Sequence, residues 1–354
     1  MAMTRSRTYG DAHRRARQIF KTLFTLLALL IVNSTAWSGS ILDRVKRDGQ
    51  VRCGVDQTAG FSEIDPAGRP MGFEVDFCRA VAAAALGDAN AIVLSRVRTA
   101  NKFKALVDDE IDIGLGQTTW TLTRDTSLGV WFPLALFYDG QGFMVWSDLG
   151  AKRLADLTGR SICVQGGTTS FVTLREAVAT LQPAPSLIEF ATSEEKSTGF
   201  LGRRCDAVTG DRSELTALRA SSVAGGGRLT LLPDVISREP LGPVVASHDL
   251  VWGQIVRWVG FAMIAAEARG LTSESIRSIA SSPDGEIRRL AGLEPGVGRG
   301  LGLDDRWARR VIEQVGNYGQ VYARNLGPET RIGLDRGLNA LWLNGGLIFS
   351  PPFR

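Results

Sequence analysis

Short apolar runs alternate with helical patterns early in the chain, and this alternation restricts the fold more than any other feature. The apolar runs, which predict strands, are Gln50–Val55, Ala91–Val97 and Ile111–Leu115. The helical patterns between them are Phe77–Leu86, which Asp76 would cap, and Ala100–Val107, which Thr99 would cap. Strand, helix, strand, helix, strand predicts a parallel α/β sheet, and such sheets bind ligands at the carboxyl ends of their strands.

The stretch Gly114–Asp125 follows the third predicted strand and is rich in small polar residues. Buried hydroxyl groups need hydrogen-bond partners, so Thr118 and Thr119 indicate the mouth of a cleft rather than a core. Arg124 can grip a carboxylate through two parallel hydrogen bonds, while hydroxyls and strand-end carbonyls can accept from an ammonium. Together these groups suit an α-amino acid. The alternative interpretation is a capped turn with a surface arginine.

Two further strand ends, later in the chain, are candidates for ligand contacts. The predicted strand Ser161–Gln165 leads into Gly166–Thr169, where a helix would begin, and the free N–H groups of a helix start bind anions. This turn is too short for a nucleotide loop and lacks its lysine, so one carboxylate is the expected guest. Asp211 follows the strand Asp206–Thr209 and could hold an ammonium. The alternatives are a plain strand-to-helix turn and a helix-capping aspartate.

The positive charge of the chain is concentrated at its N-terminus. Residues 1–38 hold six basic side chains and one acidic, a net +5, so a whole-chain charge of +4 leaves −1 for the remainder. This balance argues against a nucleic-acid partner. The segment resembles a secretory signal peptide, with arginines ahead of the apolar run Leu23–Val32 and cleavage expected after Ser38. We therefore expect export; the alternative is an uncleaved membrane anchor.

Export changes the interpretation of the four cysteines, because an even number in an exported protein favours disulfides. Three pairings are possible. We favour Cys53–Cys78 and Cys163–Cys205, because each pair would lie inside one predicted lobe; four free thiols are the alternative. The absence of a Cys-x-x-Cys spacing, with His248 as the one histidine after Ser38, argues against a zinc site.

Two glycine- and proline-bearing segments, Phe137–Phe143 and Ser237–Pro243, interrupt the alternation and suit crossings between lobes. The predicted organisation is a signal peptide at 1–38, a first lobe at 39–140, a second lobe at 141–240, and a return to the first lobe with a C-terminal extension at 241–354. In that extension, Arg306–Asn325 has the pattern of one long helix. Two α/β lobes joined by two crossings predict a hinge-bending binding protein.

Several longer motifs carry a resemblance to a known family. They are Gly72–Val81, Thr118–Asp125, Tyr138–Met144, Cys163–Thr169, Arg204–Asp206, Ser237–Pro243, Val315–Gly319 and Arg336–Trp342. With these motifs in this order, the chain resembles periplasmic solute-binding proteins of ABC transporters, in the branch for general L-amino acids. The resemblance spans the chain after the signal peptide. It implies a bilobal α/β fold of the periplasmic-binding-protein type II.

The resemblance also implies roles for individual residues. Arg124 would clamp the ligand α-carboxylate, aided by Thr169 and by backbone N–H groups around Gly167. Thr119 and the carbonyl of Gln117 would meet the ammonium. The remaining two expected ligand contacts are Asp211 as the counter-charge and Asp56 near the ligand side chain.

The implied function is capture of polar L-amino acids, such as Glu, Gln, Asp and Asn, and their delivery to a membrane permease. A periplasmic monomer without catalytic activity, cofactor or metal is expected. Two departures affect side-chain preference: Asp56–Gly60 is one residue short and lacks an aromatic residue, and Gln117 is larger than the family residue. The alternatives are a dehydratase-like enzyme on the same fold and a ligand-sensing receptor.

Overall fold

The computed structural model describes residues 40–222 and 228–354, so the predicted signal peptide lies outside the described residues. The strands are β1 (Val51–Val55), β2 (Glu63–Ile64), β3 (Pro70–Met71), β4 (Ile92–Arg96), β5 (Ile113–Gly114), β6 (Val130–Trp131), β7 (Phe137–Asp139), β8 (Gln141–Trp146), β9 (Ser161–Gln165), β10 (Ser186–Phe190), β11 (Ala207–Asp211), β12 (Leu229–Leu231), β13 (Glu239–Leu241) and β14 (Val245–Ala246). The α-helices are α1 (Ile41–Asp48), α2 (Phe73–Leu86), α3 (Thr99–Val107), α4 (Leu122–Ser127), α5 (Thr169–Val178), α6 (Ser193–Leu201), α7 (Arg212–Ser221), α8 (Leu250–Ala268), α9 (Ser275–Ser278), α10 (Gly285–Leu290), α11 (Trp307–Gln314) and α12 (Tyr318–Asn325).

The first lobe is built on a three-stranded parallel sheet with the order β4-β1-β5. The predicted alternation of strands and helices is therefore confirmed in this region. Helix α2 begins at Phe73, four residues before the predicted start, and Gly72 precedes it with a φ of 129°. The prediction that Asp76 caps this helix is wrong. Its carboxylate lies inside the first turn and accepts hydrogen bonds from Arg79 and Asn325, at 3.0 and 2.7 Å.

The second lobe is built on a five-stranded mixed sheet with the order β10-β9-β11-β8-β12. Strands β10, β9 and β11 are parallel, while β8 runs antiparallel to both of its neighbours. One buried cluster, including Phe143 and Leu174, covers one face of this sheet, and another, including Met144 and Phe200, covers the other. The carboxyl ends of β9 and β11 carry Gln165 and Asp211, which directs both toward one edge of the sheet.

The chain passes between the lobes through an antiparallel ribbon of β7 and β13. In its register, Phe137 pairs with Leu241, Tyr138 with Pro240 and Asp139 with Glu239. The architecture is thus bilobal with a two-segment hinge. The main buried cluster of the first lobe draws on residues from both sides of this ribbon, including Phe73 and Trp252. This composition is compatible with lobe boundaries near 140 and 240, which stay a prediction.

The last predicted helix is wrong, because the structure divides it into α11 and α12. Gly316 adopts a φ of 102°, a conformation that suits glycine and interrupts the helix. Asn317 then starts α12 with a capping box, in which its side chain accepts from Gln320 N at 2.8 Å and Gln320 Oε1 accepts from Asn317 N. Within the described ranges, no helix combines the length and apolar character needed to cross a membrane.

Each lobe contains one of the two favoured disulfides. Cys53 in β1 joins Cys78 in α2, with 6.4 Å between their Cα atoms, and Cys163 in β9 joins Cys205 before β11, at 5.7 Å. The first bridge ties a strand to the helix that covers it. The second ties β9 to the turn that precedes its parallel neighbour β11.

We expect the Cys163→Ala/Cys205→Ala double variant to be less stable than the parent. A closed loop of 42 residues restricts the unfolded chain by about 4 kcal/mol on the loop-entropy account. Urea unfolding of both proteins measures the difference. Under reducing conditions, the two proteins should converge toward the lower stability. A double variant as stable as the oxidised parent would contradict this contribution.

Candidate functional site

A small cavity of about 60 Å³ lies between the strand ends of the two lobes. Six of the seven expected ligand contacts line it: Asp56, Gln117, Thr119, Arg124, Thr169 and Asp211. The first four come from the first lobe, and the last two come from the second. Gly167 is not among the lining residues, although its neighbour Thr168 is. The structure therefore brings together most of a set that is spread over 156 positions of sequence, from Asp56 to Asp211.

Arg124 is positioned by the short helix α4. Thr121 begins this helix and its hydroxyl accepts a hydrogen bond from Arg124 N at 3.3 Å. The guanidinium donates to the carbonyl of Thr119 at 2.8 Å and lies over the ring of Phe103, 5.4 Å from its centroid. Burial lowers the pKa of Arg124, but the group stays charged at neutral pH. Its other N–H groups have no hydrogen-bond partner among the described residues, and the guanidinium faces the cavity.

Asp211 ends β11 on the opposite lobe. The alternative that it caps the following helix is wrong, because its side chain makes no capping hydrogen bond with α7. Burial raises its pKa well above the usual value, and repulsion from Asp139, Glu239 and Glu214 adds to that effect while Lys196 opposes it. In the described structure this carboxylate faces the cavity without a hydrogen-bond donor. Such a site favours an incoming cation.

The carboxylates beside Asp211 form an acidic cluster at the hinge. Asp139 and Glu239 lie opposite each other in the β7–β13 ribbon. Burial raises the pKa of Asp139 to about 6, against hydrogen bonds from Ser213 and Gly140 that lower it. Glu214 is neutralised by the buried ammonium of Lys196, 2.9 Å away. The cluster thus favours a positive charge beside Asp211, although the ammonium of Lys196, which also lines the cavity, opposes this effect.

Direct hydrogen bonds join the lobes across the cavity. The hydroxyls of Thr119 and Thr169 lie 3.3 Å apart, and the side-chain amide of Gln117 donates to Ser213 Oγ at 3.1 Å. Nearer the surface, Arg96 of the first lobe pairs with Glu194 of the second at 2.8 Å. These contacts define a closed cleft. A ligand of appreciable size enters only when they separate.

A buried pair of charges supports the loop that carries Gln117. The loop turns through positive φ at Gly116 and Gln117, with values of 85° and 47°. Glu74 Oε1 accepts hydrogen bonds from the N–H groups of both, at 2.9 and 2.8 Å. From the other side, Lys102 Nζ donates to Gly116 O and to Thr118 Oγ1, at 3.1 and 2.8 Å. Glu74 and Lys102 thereby hold the loop in an uncommon conformation.

Sequence reasoning missed Glu74 and Lys102. Lys102 is fully buried. Burial lowers its pKa to about 8, although attraction to Glu74 opposes the shift. A lysine on the apolar side of the predicted helix 100–107 was the available signal, as was Glu74 within the motif Gly72–Val81. Neither pattern reveals the partner, because Glu74 and Gln117 are 43 positions apart in sequence.

A second and larger cavity, of about 810 Å³, adjoins the first and shares Asp56 and Gln165 with it. Arg98 from the first lobe and Arg204 from the second line this outer cavity. The Arg204 guanidinium lies 4.9 Å from the ring centroid of Phe190. Neither arginine has an acidic partner within ion-pair distance among the described residues. The part of the chain that the structure describes contains no group of three acidic, histidine or cysteine side chains suited to a metal ion.

Comparison with known proteins agrees with this geometry. The family of bacterial extracellular solute-binding proteins, family 3, matches residues 51–291. The glutamate/glutamine/aspartate/asparagine-binding protein BztA of Rhodobacter capsulatus is 42% identical over 94% of this chain and 98% of its own length. The general L-amino acid-binding periplasmic protein AapJ of Rhizobium johnstonii is 40% identical, over 92% of this chain and 96% of its own.

A solved structure is also similar throughout. It is an ABC transporter periplasmic binding protein from Brucella ovis with glutathione bound, 37% identical in sequence. The similarity covers 89% of this chain and 100% of the Brucella chain, with a TM-score of 0.86.

We expect Lys102→Met to lower the free energy of unfolding by about 1.5–3 kcal/mol, because it removes the charged hydrogen bonds to Gly116 O and Thr118 Oγ1 and the attraction to buried Glu74. The Lys102→Met/Glu74→Gln double variant should lose less than the sum of the two single variants, since the two groups share one loop. Urea unfolding provides the double-mutant cycle.

The matched control is Lys104→Met on the same helix, whose ammonium is exposed and pairs with Asp108. Its stability should stay close to that of the parent. Equal effects of the two lysine substitutions, or strict additivity in the cycle, would rule out this role of Lys102.

Proposed function

Because the chain belongs to family 3 of the bacterial extracellular solute-binding proteins, we propose that it captures polar L-amino acids for an ABC transporter. In this proposal the protein is a periplasmic monomer, exported by the signal peptide at 1–38, that passes its ligand to a membrane permease. BztA and AapJ bear names that describe binding of polar or general L-amino acids. Those names support broad specificity for this chain.

One observation carries the proposal: a guanidinium and a carboxylate, each without a salt-bridge partner, line one cavity from opposite lobes. Arg124 keeps free N–H donors, and Asp211 has no hydrogen-bond donor in the described structure. An α-amino acid carries a carboxylate and an ammonium on adjacent atoms. It therefore neutralises both groups at once, which neither a simple cation nor a simple anion does.

The remaining polar groups complete the proposed contacts. Arg124 would hold the α-carboxylate with its guanidinium fork. Thr169 would exchange its bond with Thr119 for the same carboxylate, joined by N–H groups near Gly167 at the start of α5. Thr119 and the carbonyl of Gln117 would meet the ammonium, opposite Asp211. Each exchange replaces a neutral hydrogen bond by a charge-assisted one, which is roughly twice as strong.

Ligand binding would stabilise the closed cleft. Arg124 and Thr119 belong to one lobe, while Thr169 and Asp211 belong to the other. A ligand that touches all four binds the closed form far better than the open form, so it shifts the population by that difference in affinity. The closed form presents surfaces of both lobes together, which is a signal that a permease can distinguish from the open form.

The outer cavity supports a second class of ligand. The ligand side chain would leave the inner cavity past Asp56 and Gln165, which line both. Arg98 and Arg204 could then bind a distal carboxylate, as found at the far end of a short peptide. The Brucella relative has glutathione bound, so glutathione belongs in any test of the ligand range.

We propose binding without catalysis. The family and the relatives are binding proteins. Base catalysis most often uses histidine, and His248 lies outside the cavity with its side chain 46% exposed, beside Asp109. The acidic cluster near Asp211 has a simpler use as the counter-charge for an ammonium.

Calorimetric titration of the refolded mature protein should detect binding of several polar L-amino acids. Arg124→Ala should raise Kd by about 10- to 100-fold, because it removes a hydrogen-bonded charge worth about 1.5–3 kcal/mol. Glutathione and the twenty L-amino acids form the panel, which ranks the ligands and tests the outer cavity at the same time.

The matched control is Arg257→Ala. Arg257 also donates to a backbone carbonyl, that of Pro133, and lies 4.4 Å from the ring centroid of Trp131, but it does not line the cavity. Its Kd values should match those of the parent. Unchanged binding by Arg124→Ala, or no binding of any panel member by the parent, would reject the proposal.

We expect the affinity for L-glutamine to increase from pH 5 to pH 7. The raised pKa values of Asp139, about 6, and of Asp211 mean that the free protein holds extra protons in this range. Glu239 and the Glu214–Lys196 pair lie near these two carboxylates. A ligand ammonium beside Asp139 and Asp211 lowers the pKa values of both and releases protons. The slope of log affinity against pH equals the number released.

The folding stability of the protein without ligand should change with pH in the opposite direction to the affinity. Folding takes up a proton at Asp139 between the usual pKa of 3.8 and about 6, so stability falls as pH rises through that window.

For the binding prediction, calorimetric titrations with L-glutamine in buffers of different ionisation enthalpy count the released protons directly. An affinity that is flat from pH 5 to pH 7, with no proton release, would contradict the role of the acidic cluster.

A further inference from the structure

The C-terminal extension contacts the hinge strand β7 through several side chains, of which Asn339 binds its backbone on both sides of one residue. The carboxamide oxygen of Asn339 accepts a hydrogen bond from Tyr138 N at 2.6 Å, and its nitrogen donates to Tyr138 O at 3.0 Å. Only 5% of Asn339 is exposed. A single side chain thus satisfies both backbone polar groups of the residue in the middle of β7, at a separation of 201 positions in sequence.

The hinge ribbon leaves these two groups without other partners. Pro240 lies opposite Tyr138 in β13 and has no N–H group to donate. The carbonyl of Pro240 points elsewhere, because it accepts from Trp120 N at 2.9 Å. Buried backbone groups are costly when unpaired. Asn339 therefore takes the place that a neighbouring strand would otherwise occupy along β7.

Asn339 is itself anchored to the first lobe. Arg336 donates to the backbone carbonyl of Asn339 at 2.8 Å and makes two hydrogen bonds with the carboxylate of Glu267 in α8, at 3.0 and 3.2 Å. Its guanidinium also lies over the rings of Tyr318 and Tyr322, at 5.1 and 4.9 Å from their centroids. Asn339 is consequently held by a rigid set of contacts rather than by a loose tail.

The tyrosines of α12 extend the same contact along the hinge strand. Tyr318 donates its hydroxyl to Leu136 O at 2.9 Å and is buried. The ring of Tyr322 stacks on Phe137 with 6.2 Å between centroids and 8° between planes. Residues 136, 137 and 138 are thus each fixed by the extension, immediately before the chain enters the second lobe at β8.

We propose that the C-terminal extension, residues 292–354, is a hinge brace that favours the closed cleft. Hinge residues must change their backbone angles when lobes separate. The brace fixes Tyr138 to the first lobe in the closed conformation. The hydrogen bond from Trp120 N to Pro240 O also connects the hinge to Thr119. A change in the hinge would therefore move the proposed ligand-binding stretch Gly114–Asp125. Removing the brace frees the ribbon and favours the open form. The effect on affinity rests on the proposed function, whereas the effect on cleft opening does not.

The test compares Asn339→Ala with Asn325→Ala. Asn325 is also buried and in the extension, and its carboxamide donates to Asp76 and to Val321 O, but it does not contact the hinge. Both substitutions should lower the melting temperature. Only Asn339→Ala should raise Kd for L-glutamine, by about five- to tenfold, because a smaller fraction of the protein is competent to bind.

Spin labels report opening without any ligand. Labels at Asn101→Cys in the first lobe and Lys152→Cys in the second, both exposed positions, give the distance between lobes by pulsed electron paramagnetic resonance. The four native cysteines are paired and do not react. We expect longer distances in ligand-free Asn339→Ala than in the parent and in Asn325→Ala. If Asn339→Ala does not fold, near-isosteric Asn339→Asp, which lacks the donor to Tyr138 O, replaces it with the same expectation.

The outcomes separate the two proposals. Unchanged lobe distances in the Asn339 variants would overturn the brace, whatever the ligand range. Equal shifts in the Asn325 and Asn339 variants would reduce Asn339 to a general stabilising contact and would also overturn it. Longer distances together with no amino-acid binding by the parent would support the brace and reject the proposed function.

Discussion

Two partly buried ionisable groups, Arg124 and Asp211, line one closed cleft from opposite lobes. Arg124 and Asp211 have lost much of their hydration, and neither has a salt bridge in the described structure to compensate. Desolvation of this kind is expensive for each group. Closure of the cleft therefore leaves both groups desolvated without a compensating side-chain partner among the described residues. The hydrogen bonds that close it, Thr119 to Thr169 and Gln117 to Ser213, are neutral and contribute modestly.

The scaffold keeps these charges in position by placing them at strand ends and supporting them from behind. Asp211 is the last residue of β11, and Arg124 lies in the first turn of α4, which follows β5. The loop between β5 and α4 has a positive φ at Gln117, which a non-glycine residue rarely adopts. The buried carboxylate of Glu74 makes that conformation favourable by accepting from two successive N–H groups. The buried carboxylate of Glu74 thus fixes the backbone of the loop that carries Gln117 into the cavity.

Much of this arrangement follows from the sequence. Strand Ser161–Gln165 has the predicted bounds, and Asp211 and Arg124, which were predicted from small polar residues after apolar runs, both line the inner cavity. The contributions of Lys102, Asp139 and Asn339 were not predictable in this way. Each depends on a partner far away in sequence, and the local pattern of a buried lysine or asparagine does not reveal that partner. The break at Gly316 was missed because the helical periodicity continues across it.

The distant and local contacts act on the same equilibrium between open and closed clefts. A ligand changes that equilibrium only by binding one form better than the other. In the proposed function, Arg124 and Asp211 would supply this difference in affinity, while their desolvation opposes closure. The proposed hinge brace at Asn339 would offset part of that cost from outside the cavity. Since Asn339 contacts only backbone atoms of Tyr138, the proposed brace would favour closure equally for every amino acid. Under the proposed function, broad specificity would require only that the cleft recognise the shared carboxylate and ammonium, with the ligand side chain directed toward the larger outer cavity.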